Sequence, residues 1–100
     1  MPTETVRDAI DRAREAYALL GELGETIDDE WSYVTDLAEA WGTRFDEVAA
    51  TRGDDAIGAD VSAAVDRTIA EITRITDAHR AIDWLSTFPQ VVLVALGERP

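Results

Sequence analysis

Between Ile27 and Val48, apolar side chains fall at Ile27, Trp31, Val34, Ala38, Trp41, Phe45 and Val48, spaced 4, 3, 4, 3, 4, 3. At about 100° per residue this spacing gathers all seven onto one stripe of an α-helix. The opposite face carries Asp29, Ser32, Asp36, Glu39, Thr43, Asp46 and Glu47, which favour water. A helix with so broad an aromatic face needs partner helices to bury it. Trp31, Trp41 and Phe45 are therefore expected among the most buried side chains.

The preceding segment supplies one partner. Val6, Ile10, Ala13, Tyr17 and Leu20 repeat the 4, 3, 4, 3 spacing. Thr3 or Thr5 can cap the first turn, and Thr5-x-x-Asp8 is a capping-box variant with Asp in place of Glu. Gly21 and Gly24 bracket the stop, as residues able to adopt the left-handed conformation that ends helices. Thr26 is placed to cap the second helix, with Asp28, Asp29 and Glu30 at its positive dipole end. So short a connection makes the two helices antiparallel neighbours. Gly42, in mid-helix, costs about 1 kcal/mol relative to Ala and marks either a close backbone approach or simple tolerance.

Arg52 to Asp60 reads as the one clear loop. Arg52-Gly53-Asp54 spells an adhesion tripeptide, which three residues in a chain of intracellular character do not establish. Asp54, Asp55 and Asp60 do not follow the calcium-loop spacing; Asp55 or Asp60 is expected as a helix cap, in preference to a site for a bulk salt cation. A third, longest helix is expected from Asp55 or Asp60 to Leu85, with its stripe at Val61, Val65, Thr68, Ile72, Ile75, Ala78 or His79, Ile82 and Leu85. Thr87 and Pro89 interrupt that pattern, since proline disfavours helix for the residue before it. Val91 to Leu96 is a continuous apolar run ended by Gly97, compatible with a strand or a short helix. With no other strand to pair with, helix is favoured. The expected fold is all-α, an antiparallel bundle of three main helices in one domain (1–100), with the C-terminal segment packed on it as a fourth piece.

Composition narrows the function classes. Apolar residues make up 46% of the chain, which excludes intrinsic disorder. The absence of cysteine excludes disulfides, thiolate metal sites and a cysteine nucleophile. No stretch approaches the roughly 20 apolar residues of a membrane span. The N-terminus lacks a secretory layout, so a cytoplasmic location is expected. Twenty-one acidic residues face nine basic ones, all nine of them arginine, for a net charge of -12. That charge repels itself in dilute buffer, whereas molar salt shortens the screening length to about 3 Å. An acidic, lysine-free surface of this kind resembles those of proteins from salt-loving archaea. Lysine-based Schiff-base chemistry is excluded, and nucleic-acid binding is disfavoured without a basic patch. Arg7/Asp11, Asp8/Arg12, Arg67/Glu71 and Arg80/Asp83 are expected as ion pairs within solvated helix faces.

Few residues suggest chemistry. His79 is the only histidine, one turn before Asp83, which could orient its ring. On the edge of an apolar stripe it reads more readily as a boundary residue. Arg74-Ile-Thr-Asp-Ala-His79 has the R-x4-H spacing and in this resembles HEPN domains, all-helical and often dimeric proteins in which Arg and His serve RNA cleavage. The resemblance covers these two positions, with Ile75 where a polar residue usually follows the arginine, and implies Arg74 and His79 as catalytic residues. Di-iron bundles need Glu-x-x-His pairs, whereas Thr76 stands three residues before His79. No glycine-rich phosphate loop is present, and no cofactor is expected. The reading that fits best is a non-enzymatic interaction or structural module, acting as a homodimer or with another protein. Trp84, Phe88, Val91, Val92, Leu93 and Val94 form the expected interface, and Arg80, one turn before Trp84, is placed to lie over its ring.

Overall fold

The computed structural model describes residues 4–26 and 31–99, which form four helices: α1 (Val6–Gly24), α2 (Trp31–Arg52), α3 (Ala59–Thr73) and α4 (Ala78–Ala95). Among the described residues the only β pairing is a single Thr5–Ala56 bridge, so the fold is an all-α bundle. Consecutive helices run antiparallel. α1 and α4 form the most extensively packed pair; each also packs on α2 and α3, which scarcely meet one another.

The helix 1 stripe is buried as expected: Val6, Ile10, Ala13, Tyr17 and Leu20 all face the core. Thr5 caps α1 in a full capping box with Asp8. Neither glycine at its end is left-handed. Gly24 is instead the last helical residue, and a Cβ there would stand 3.2 Å from Ile82, so it permits close approach of α4. The expected cap of α2 involves residues 27–30, outside the described residues; the Thr26 hydroxyl donates to the Leu23 carbonyl at the end of α1.

In α2, Val34, Phe45 and Val48 are buried, but Trp41 is only partly so and Ala38 is exposed. Leu37 packs against the core in place of Ala38, which shifts the inward face slightly from the predicted stripe. Gly42 has open space around its missing Cβ, so no backbone approaches it; its carbonyl accepts a hydrogen bond from Arg14.

The expected single long helix from the loop to Leu85 is two helices. Four of the five residues from Ile72 to Thr76 are β-branched, a poor helical run, and Asp77 then caps a fresh helix by accepting from the His79 backbone N–H. Nor does α4 stop at Pro89, which lies inside it. An interior proline leaves the carbonyl four residues earlier without its donor. Here that carbonyl belongs to Leu85, and the buried Tyr17 hydroxyl donates to it at 2.8 Å. Tyr17 also stacks on Phe88, with centroids 6.2 Å apart and planes 14° from parallel. Burial, with Tyr33 nearby, pushes the Tyr17 hydroxyl pKa well above that of a free tyrosine.

The Arg52–Asp60 loop closes one end of the bundle. The Asp55 and Gly53 carbonyls accept from the Val6 and Arg7 backbone N–H groups, satisfying first-turn donors of α1. The Glu4 carbonyl accepts from Ile57. A Cβ at Gly53 would collide with the Ala49 carbonyl oxygen and the Arg7 guanidinium. Arg52 reaches from the end of α2 to the Leu96 carbonyl (2.8 Å), Glu98 (3.1 Å) and Asp55 (3.2 Å). α4 itself ends on the left-handed Gly97, with the Glu98 N–H returning to the Leu93 carbonyl.

Candidate functional site

Arginine placement separates one surface from the rest. Arg7 pairs with Asp54, Arg12 with Glu4 and Asp66, Arg14 with Asp46, Arg44 with Glu47, and Arg52 with Asp55 and Glu98. Arg7–Asp54, Arg12–Asp66, Arg14–Asp46 and Arg52–Glu98 join residues far apart in the chain. None of the four expected helix-face pairs forms; apart from Arg44–Glu47 within α2, the carboxylates that arginines reach lie outside the arginine's own helix. Among the described residues Arg67, Arg74, Arg80 and Arg99 have no ion pair, and the first three line one groove.

That groove is the seam between α3 and α4. It has two adjoining stretches of about 270 and 310 Å³ that share Glu71 and Trp84. Arg74, Ile75, Thr76, Asp77 and Arg80 line the first. Ala64, Arg67, Thr68, Val91 and Ala95 line the second. Trp84 is half-buried at the middle, where its indole offers an apolar platform flanked by guanidinium groups. Arg80 and Trp84 share the groove without a cation–π contact. Arg80 also sits in the first turn of α4, just after the Asp77 cap, where the helix dipole disfavours a cation. Its placement does not serve the helix. Three arginines against Glu71 and Asp77 make the seam a net cationic strip on an anionic protein.

The other expected site residues are dispersed. Arg74 lines the seam, but His79 and Asp83 do not, and no hydrogen bond links the His79 and Asp83 side chains. The R-x4-H pair thus straddles the α3–α4 turn instead of sitting inside one helix. Of the expected interface, Phe88, Val92 and Leu93 have no accessible surface and belong to the core of their own chain. The cause is α4 itself, which buries its Leu85–Phe88–Val92 side against α1 and leaves Trp84, Val91 and Val94 toward solvent. No group of three or more potential metal ligands occurs among the described residues, and none of their helices is long and apolar enough to cross a membrane. Comparisons with known protein families, characterised proteins and solved structures return no match.

Proposed function

We propose that this protein is a non-catalytic helical interaction module that works as a homodimer, with the α3–α4 seam as its binding face, in a cytoplasm of concentrated salt. One observation carries the reading: in a chain with 21 carboxylates, four arginines make no ion pair among the described residues, and three of the four line the groove around Trp84. Tryptophan and arginine are the residues that most often anchor protein interfaces. An RNA-cleaving site would need Arg74 and His79 in one cleft, and only Arg74 lines it. Sedimentation equilibrium at micromolar concentration in about 2 M KCl, a regime of short screening length, tests the proposal. A mass of twice 11.0 kDa is expected, and a folded species of 11.0 kDa rejects it. The salt reading has its own check, because -12 charges lose their screening in dilute buffer. The melting temperature should rise steadily with KCl; an unchanged value would remove that part of the proposal.

A further inference from the structure

We propose that the seam of each copy is filled by the acidic outer face of α1 from a second copy, docked reciprocally about a two-fold axis near α3. The inference rests on the homodimer reading and adds which surfaces meet. On α1, Asp11, Glu15, Leu19 and Glu22 share one outward stripe, spaced 4, 4, 3. Leu19 is 60% exposed, one of the few large apolar side chains among the described residues that stand out to solvent. None of its three acidic neighbours makes an ion pair among the described residues. The stripe is therefore a charge complement of the seam: three unpaired carboxylates around an exposed leucine, against three unpaired arginines around a half-buried tryptophan.

Position agrees with charge. Leu19 lies on the groove between α1 and α3, and Ile75 lines both that groove and the seam. The two patches thus flank the same end of α3, so a two-fold axis there brings each against the other in both copies at once. Docking seam on seam would bring together two strips of the same net charge, which is less favourable than meeting the acidic stripe.

The absence of cysteine makes the test clean. Ala18→Cys and Thr76→Cys add single thiols at exposed positions beside the two patches. Mixed together, they should be joined by a short bismaleimide far more than either variant alone. Charge reversal gives an independent arm, read by sedimentation at the lowest KCl concentration that keeps the chain folded by circular dichroism. Arg74→Glu with Arg80→Glu, and Glu15→Arg with Glu22→Arg, should each weaken self-association by more than about tenfold. An equimolar mixture of the two should dimerise again, since only the mixed pair has both contacts complementary. A dimeric parent with no Ala18–Thr76 cross-link, or with dimerisation indifferent to both reversals, overturns this pairing and leaves the homodimer reading standing. A monomeric parent overturns both.

Discussion

At the end of the bundle closed by the Arg52–Asp60 loop, arginines are tied down; along the α3–α4 seam they are not. Arg7 and Arg52 join three chain segments there through Asp54, Asp55, Glu98 and the Ala49 and Leu96 carbonyls. Gly53 is packed too closely for a side chain. At the seam, Arg67, Arg74 and Arg80 lie beside Glu71 and Asp77 without bonding them. The same residue type thus does two jobs in a lysine-free chain. Its planar fork can satisfy several acceptors across elements, as Arg52 does, or stay available for a partner.

The sharpest way to break this contrast is at the glycines. Gly53→Ala should destabilise by about 2–3 kcal/mol, because the added methyl meets backbone oxygen that cannot move aside cheaply. Gly42→Ala, in open space, should instead stabilise by about 1 kcal/mol. Thermal melts of the two variants give opposite signs if the loop corner is as tight as described. Arg52→Ala comes next, with an expected loss of about 1–2 kcal/mol in chemical denaturation, since the Leu96 carbonyl and Glu98 lose their donor.

Tyr17, on the α1–α4 contact between the two regions, sets an alkaline limit. Its phenol is neutral when protonated, and burial raises its folded pKa above the unfolded value of about 10. Its contribution is complete below that pH and is lost as pH rises beyond it, at about 1.4 kcal/mol per unit. Tyr17→Phe should flatten this alkaline decline in urea titrations, while being less stable than the parent at neutral pH through the orphaned Leu85 carbonyl. The smallest effect belongs to the seam. Arg67, Arg74 and Arg80 changed together to Ala should alter monomer stability by less than about 0.5 kcal/mol, as surface positions outside any network do. A larger loss would mean that they hold the fold after all.

Local pattern carried the fold class, the α1 stripe, the Thr5–Asp8 box and the Gly97 stop. What it could not carry was long-range compensation. Pro89 reads as a helix end in sequence because its missing N–H is visible there, whereas the donor that replaces it comes from Tyr17, on another helix. The α3–α4 break has no Gly or Pro to mark it, only β-branched residues and the Asp77 cap. The groove is half legible: Trp84 and Arg80 are marked in the sequence, whereas Phe88, Val92 and Leu93 are continuous with them in sequence and are turned inward by α4. Two of the seam arginines, Arg67 and Arg80, read as paired in sequence, since Glu71 and Asp83 stand at helical spacing from them. Only the assembled bundle separates engaged arginines from free ones.

That separation is tested most directly by hydrogen–deuterium exchange followed by mass spectrometry, at protein concentrations spanning monomer to dimer in concentrated KCl. Protection should grow with concentration in peptides from residues 67–84, and also in 11–22 if the α1 face is the occupant, while peptides from 49–57 stay unchanged. Exchange that is independent of concentration along the seam, or that changes equally in residues 49–57, would contradict the claim that these three arginines are held for a partner.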